Sequence, residues 1–81
     1  MVKIVFTEKF ENKLKKSDEI MKIKLKKQIQ KIIENPEIGK PMRYNRKGTR
    51  EVYVNPFRLS YSYSQKNDEI IFLTIYHKDE Q

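Results

Sequence analysis

The first half of the chain shows one strand pattern followed by two helix patterns. Residues 2–6 alternate with period two, which predicts a first strand. Thr7 followed by Glu8 indicates a helix start, because a threonine side chain accepts a hydrogen bond from the first helical turn. The polar pair Ser17-Asp18 interrupts this helix and begins a second one, which we expect to end before Pro36. Its apolar stripe consists of Met21, Leu25, Ile29, Ile32 and Ile33.

The second half of the chain predicts a loop and then three strands. Pro36, Gly39 and Pro41 favour a loop or extended segment over residues 37–47. The last of the three strands is apolar at nearly every position, as expected for a central strand covered on both faces. The strands are expected at residues 50–54, 57–64 and 69–77. The order β-α-α-β-β-β predicts an α+β domain, in which two N-terminal helices pack on one face of a mainly antiparallel sheet.

The distribution of charge indicates a polyanionic partner. The chain carries 18 Lys and Arg against 11 Asp and Glu, a formal net charge of +7. Six basic residues and one acidic residue, Glu51, lie between positions 40 and 58, so this stretch alone carries six minus one, or +5. The basic residues are Lys40, Arg43, Arg46, Lys47, Arg50 and Arg58, and they include all four arginines of the chain. Because strands hold arginines in fixed directions and a guanidinium matches phosphate oxygens, we interpret this region as phosphate-binding. The lysine-rich helices are interpreted as a solvated face.

Length and composition exclude several classes of protein. Eighty-one residues permit one small domain, residues 1–81, with a modest core. The chain has no cysteine, so we expect no disulfide and no thiolate metal site. We also expect no metal and no small-molecule cofactor. No apolar run approaches the ~20 residues that span a bilayer, and charges interrupt the N-terminus too often for a signal peptide. We therefore expect a cytoplasmic protein without a membrane partner.

Three short motifs give this chain a resemblance to a known family. They are residues 34–41 (Glu-Asn-Pro-Glu-Ile-Gly-Lys-Pro), residues 43–48 (Arg-Tyr-Asn-x-Lys-Gly) and the strand start at residues 57–59 (Phe-Arg-Leu). Their order and spacing resemble the RelE/ParE superfamily of type II toxin–antitoxin toxins, above all RelE and YoeB, over nearly the whole chain. The resemblance implies a toxin that is neutralised by an acidic antitoxin. When free, it would enter the ribosomal A site and cleave mRNA there.

Metal-free RNA cleavage requires a base, an acid and cations that stabilise the charge on phosphorus. By resemblance, Arg58 contacts the scissile phosphate, and His77 and Lys78 occupy the C-terminal catalytic cluster. Glu51 is a candidate base, since YoeB uses a glutamate, although that one lies earlier in its chain. Each role has a structural alternative: a surface salt bridge for Arg58, a bystander role for His77, and a pair with Arg50 or a strand neighbour for Glu51. The residues expected to bind RNA are Lys40, Arg43, Arg46, Lys47 and Arg50.

Two departures from the RelE pattern leave the function open. RelE has a pair of lysines on the strand before the arginine, where this chain has Arg50, Glu51 and Tyr53. Many RelE toxins carry a tyrosine a few residues past the basic cluster, and this chain ends Lys78-Asp79-Glu80-Gln81. Tyrosines at strand spacing mostly pack in a sheet, so we expect at most one of Tyr44, Tyr53, Tyr61, Tyr63 and Tyr76 to contact RNA. Three functions therefore stand: a ribosome-dependent mRNA endonuclease, a ParE-like toxin that poisons DNA gyrase, and an inactive homologue that only binds antitoxin or RNA.

Overall fold

Two helices lie on one face of a five-stranded sheet in the computed structural model, which describes residues 2–43 and 47–80. The elements are β1 (Lys3–Phe6), α1 (Glu8–Lys16), α2 (Glu19–Glu34), β2 (Lys40–Pro41), β3 (Thr49–Val54), β4 (Phe57–Ser64), β5 (Glu69–His77) and a short 3₁₀ helix (Lys78–Glu80). The strand order is β1-β5-β4-β3-β2; β1 runs parallel to β5, and the other neighbours are antiparallel. The predicted α+β fold is confirmed. The sequence did not predict β2, a two-residue strand within the segment expected to be a loop or extended, or the short 3₁₀ helix after β5.

Both helix starts are fixed by the capping residues that the sequence indicated. The Thr7 Oγ1 accepts a hydrogen bond from the Phe10 N–H at 3.0 Å, and the Asp18 Oδ1 accepts one from the Met21 N–H at 2.8 Å. These caps set the starts of α1 and α2, which lie within a residue of those expected. Neither helix in the described part of the chain is long and apolar enough to cross a bilayer.

The helices bury their apolar stripes against one face of the sheet, which we call the helix face. The core consists of Phe10, Met21, Leu25, Ile29, Ile32, Val54, Leu59, Tyr61, Ile70, Phe72 and Ile75. The opposite face, which we call the outer face, carries the polar residues of β4, as the alternation predicted.

A β-bulge in β5 changes which residues of that strand face the helices. Ser60 of β4 pairs with Thr74, whereas the next residue, Tyr61, pairs with Phe72, so that Leu73 is an extra residue in β5. The bulge is tied to the start of α1, because the Thr7 hydroxyl donates to the Leu73 carbonyl oxygen at 2.7 Å. Beyond the bulge, every residue of β5 lies on the face opposite to the one that simple alternation would give it.

Hydrogen bonds hold the segment between α2 and β2 against the sheet. The hydroxyl of Tyr61, a fully buried residue, donates to the Pro36 carbonyl at 2.7 Å and accepts from the Gly39 N–H at 2.9 Å. The Arg50 Nη1 donates to the carbonyls of Glu37 and Gly39, at 3.0 and 2.9 Å. Burial raises the pKa of Tyr61 above its ordinary value, although the Gly39 N–H and the Arg50 charge partly oppose the shift, so the phenol stays neutral and able to donate. These contacts fix the position from which β2 begins.

Replacing Gly39 by alanine is expected to destabilise the protein. A Cβ at this position would lie 2.6 Å from the Tyr61 Oη and 2.8 Å from its Cε1, closer than such atoms approach without a shift. We expect the free energy of unfolding, measured by urea denaturation, to fall by about 1–3 kcal/mol, as for other overpacked sites. Ile38→Ala is the matched control because Ile38 is exposed, and it should change stability by less than about 0.5 kcal/mol. Equal effects of the two substitutions would contradict the close packing of Gly39 on Tyr61.

Candidate functional site

Three polar side chains meet on the outer face, where β3, β4 and β5 lie side by side. The register places Arg58 of β4 opposite Tyr76 of β5, and Glu51 of β3 opposite Ser60. The Arg58 Nη1 lies 3.7 Å from the Glu51 Oε1, and the Tyr76 hydroxyl donates to the Glu51 Oε2 at 2.5 Å. We call Glu51, Arg58 and Tyr76 the Arg58 cluster.

The carboxylate and the guanidinium of this cluster differ in exposure. Only 4% of the Glu51 side chain is exposed, although it lies on the outer face, whereas 37% of the Arg58 side chain is exposed. A buried carboxylate requires a counter-charge and hydrogen bonds, and Arg58 and Tyr76 supply both. Arg58 therefore lies beside Glu51 through its Nη1 atom, while part of its side chain stays open to solvent.

An open cleft lies beside the Arg58 cluster. It consists of two adjoining depressions of about 190 and 430 Å³, and both are lined by Lys40, Met42 and Arg58. Glu51 lines the smaller depression and Arg43 the larger one. The short strand β2 supplies Lys40, because its register places this residue opposite Glu51. The cleft thus combines three cations with one carboxylate, an arrangement suited to a phosphate group near a proton acceptor.

Tyr53 adds an exposed ring to the smaller depression. It pairs with Arg58 across β3 and β4, and the Arg58 Cζ lies 5.8 Å from the centre of its ring. Its hydroxyl donates to the Asn55 Oδ1 at 2.7 Å. Tyr53 as a whole residue is 53% exposed, so its ring borders the cleft and not the core.

Comparison with known proteins identifies the family. A family model described as the ParE toxin of the type II toxin–antitoxin system parDE matches residues 4–81 of the chain. The chain belongs to this family. It is a toxin of the RelE/ParE superfamily, as the motifs at residues 34–41, 43–48 and 57–59 predicted.

Solved structures of other toxins share the toxin's fold. The isolated E. coli RelE toxin has a TM-score of 0.80 and 16% sequence identity, over 95% of this chain and 84% of the other. The RelBE2 toxin–antitoxin complex from Mycobacterium tuberculosis has a TM-score of 0.79 and 22% sequence identity, and the match covers 95% of this chain and 98% of the other. The YoeB/ParE toxin from Agrobacterium tumefaciens has a TM-score of 0.82 and 17% sequence identity, and the match covers 94% of this chain and 98% of the other. At these identities the likeness concerns the fold alone. No curated protein matches the sequence.

The toxin brings together four of the residues singled out in its sequence. Arg58 and Glu51 are in contact, and Lys40 and Arg43 are exposed and line the adjoining cleft. Glu51 thus pairs with Arg58 of the neighbouring strand. Lys47 is exposed in the turn before β3, and Arg46 lies outside the described residues.

Arg50 lies on the other side of the toxin's sheet. It is one residue from Glu51 in β3 and therefore points to the helix face, where its guanidinium binds the carbonyls of the segment before β2. Arg50 thus holds the segment before β2 against the sheet and lies away from the cleft.

His77 also lies on the helix face, because the bulge in β5 reverses the alternation before it. It pairs with Phe57, and the two rings meet edge to face with their centres 5.5 Å apart. The His77 Nδ1 accepts a hydrogen bond from the Asp79 N–H at 3.2 Å and lies 3.4 Å from the Asp79 Oδ2. Lys78 is exposed in the 3₁₀ helix, where its N–H donates to the Pro56 carbonyl. His77 thus lies outside the Arg58 cluster, and the catalytic roles of His77 and Lys78 stay predictions.

Sequence reasoning missed Tyr76 as a member of the site. The apolar run of β5 contains no signal for the bulge, and without the bulge Tyr76 would face the helices. Within residues 2–43 and 47–80 of the toxin, no three His, Asp or Glu side chains come together as a metal site.

Proposed function

We propose that the toxin is a metal-independent endoribonuclease that cleaves mRNA on the ribosome. The observation that supports this function is the contact between Arg58 and the buried Glu51 at the edge of an open cationic cleft. A cation and a carboxylate side by side are what phosphate recognition and proton transfer require.

The proposed reaction is attack of a ribose 2′-oxygen on the adjacent phosphorus. Glu51 takes the proton of the 2′-hydroxyl as the new P–O bond forms and the bond to the 5′ oxygen breaks, and the departing oxygen takes a proton from water. Arg58 stabilises the extra negative charge on the phosphate, and Lys40 adds to the positive field of the cleft. Tyr76 positions the carboxylate through its hydrogen bond to the Glu51 Oε2.

A primer-extension assay on translated mRNA after induction of the toxin tests this proposal. We expect breaks in phase with the codons, because the ribosome presents the mRNA to the toxin. Growth arrest by the wild-type toxin without such breaks would contradict the endonuclease function.

Inhibition of DNA gyrase is the second candidate, because the matching family model is named for ParE. A ParE-like toxin would bind and poison gyrase without cleaving nucleic acid, and would not need the Arg58 cluster for catalysis. Loss of supercoiling activity in a mixture of purified gyrase and toxin would favour this candidate. An inactive homologue that only binds antitoxin or RNA would show neither effect.

The exposed cations of the cleft, Lys40 and Arg43, and Lys47 of the turn before β3 are expected to determine the salt dependence of RNA binding. Replacing Lys40, Arg43 and Lys47 by glutamine should lower the slope of log affinity against log salt by about 0.7 for each phosphate that the variant no longer neutralises. The measurement is ribosome binding over a salt series. Replacing Lys24, Lys27 and Lys31 of α2 removes the same charge from the helices and is the matched control. If both triple variants change the slope equally, net charge and not the cleft governs binding.

A further inference from the structure

Tyr53 is more exposed than any other aromatic side chain among the described residues of the toxin. Its residue surface is 53% accessible, and it points away from the hydrophobic core. Unlike the exposed isoleucines of α2, it lines the cleft that also holds Glu51 and Arg58. An aromatic ring that packs in no core and borders a charged cleft is placed to contact a ligand.

The orientation of this ring is fixed before any ligand arrives. Tyr53 lies within β3, whose pairing with β4 sets the direction of the side chain. The hydrogen bond from its hydroxyl to Asn55 holds the ring at its far end, and the Arg58 guanidinium lies against it at a cation–π distance of 5.8 Å. A ring and a cation held in this way lose little conformational freedom on binding.

We infer that Tyr53 is a stacking site for one nucleobase of single-stranded RNA, next to the phosphate that Arg58 binds. Proteins that bind single strands combine a basic groove that follows the phosphates with aromatic rings that stack on the bases. The cleft has both parts, because Lys40 and Arg43 extend the positive charge from Arg58 along its wall. This inference rests on the proposed function in that the same RNA occupies the cleft. Because the two fused rings of a purine offer a larger face for stacking than the single ring of a pyrimidine, a purine at this position binds more tightly than a pyrimidine.

Tryptophan fluorescence tests the stacking directly. The chain has no tryptophan, so Tyr53→Trp introduces a single tryptophan, whose emission can be excited apart from that of the tyrosines, and keeps a flat ring at this position. The probe is a 2′-O-methylated RNA hexanucleotide, which cannot be cleaved because the attacking hydroxyl is blocked. We expect the hexanucleotide to quench the fluorescence of Tyr53→Trp, and a purine hexanucleotide to do so at lower concentration than a pyrimidine one. Ile20→Trp is the matched control: Ile20 is 70% exposed on α2, outside the cleft, and that variant should bind RNA without quenching.

The affinity of the same hexanucleotide gives a second readout. Tyr53→Leu should weaken binding about tenfold, the equivalent of ~1.4 kcal/mol, which lies within the range of base–aromatic stacking. Tyr53→Phe keeps the ring and should bind nearly as the wild type does. A loss of fold would instead affect the melting temperature, which we expect to be unchanged in both variants because Tyr53 lies outside the core.

Several outcomes would overturn the inference: equal quenching of Tyr53→Trp and Ile20→Trp, wild-type affinity in Tyr53→Leu, or no binding of the hexanucleotide by the wild type. Equal or tighter binding of the corresponding DNA hexanucleotide would overturn the assignment to RNA. The proposed function fails separately. Stacking at Tyr53 without codon-phased mRNA breaks supports the inference and contradicts the endonuclease function. Codon-phased breaks together with wild-type RNA affinity in Tyr53→Leu support the endonuclease function and contradict the inference.

Discussion

Arg58→Lys is expected to abolish growth arrest and to lower mRNA cleavage by at least about 100-fold, the effect of removing one donor that stabilises a reacting oxyanion. Lysine keeps the positive charge next to Glu51 but loses the planar fork that binds two phosphate oxygens at once. The expected result is therefore a folded but inactive protein. Primer extension on translated mRNA measures the cleavage, and circular dichroism measures the fold.

Lysine is the better substitution at this position because the charge of Glu51 is buried. Arg58→Ala would remove its partner cation and is expected to lower the free energy of unfolding by about 1–3 kcal/mol, so a loss of activity would have two explanations. Arg43→Lys is the matched control, since it makes the same chemical change at the exposed rim of the cleft, and it should retain most of the cleavage. Wild-type toxicity of a well-expressed Arg58→Lys variant would contradict the assigned role.

The antitoxin is expected to raise the melting temperature of the toxin by roughly 15–30 °C when it is present at a thousandfold excess over its dissociation constant. Binding only to the folded state stabilises a protein by ~4 kcal/mol at that excess, and each kcal/mol shifts the melting temperature of a domain of this size by about 4–8 °C. An acidic segment that folds on binding would neutralise part of the net charge of +7. Differential scanning calorimetry of the free and bound toxin gives the shift.

Charge reversal locates the surface that the antitoxin covers. We expect the antitoxin to cover Arg58 or to displace the segment His77-Lys78, so Lys40→Glu should weaken the complex more than Lys24→Glu, which makes the same change on α2. Equal melting temperatures for free and bound toxin, together with a complex in which the antitoxin contacts neither residues 40–58 nor β5, would refute the prediction.

The element order was predictable because each boundary carries a local signal. Thr7 and Asp18 cap the helices through their own side chains, and Pro36 disfavours continuation of α2. The strand β2 was not predictable, because its two residues carry no pattern of their own. Its position depends on hydrogen bonds of Tyr61 and Arg50 with the segment before it, and these connect residues that are far apart in the sequence.

The candidate site was predictable only in part. The polar face of β4 revealed Arg58, and Glu51 follows from the same alternation in β3. Arg50 belongs to the same cluster of arginines in the sequence, yet its neighbouring position in β3 sends it to the opposite face. The bulge in β5 places Tyr76 on the outer face and His77 on the helix face, the opposite of what regular alternation predicts. The apolar sequence of β5 gives no indication of where an extra residue interrupts the pairing.

The bulge at Leu73 sets the register of β5 along β4 beyond this point, and a strand without the bulge would pair differently. If Leu73 took a place in the ladder, each later residue would move by one position, so that Ile75 would lie opposite Arg58 and the phenol of Tyr76 would turn towards the helices. Deletion of Leu73 would remove this second register and leave Tyr76 opposite Arg58. In the intact strand, the hydrogen bond from the Thr7 hydroxyl to the Leu73 carbonyl favours the bulged register, in which Tyr76 lies opposite Arg58. A helix cap near the N-terminus thus helps to select which side chain completes a cluster near the C-terminus.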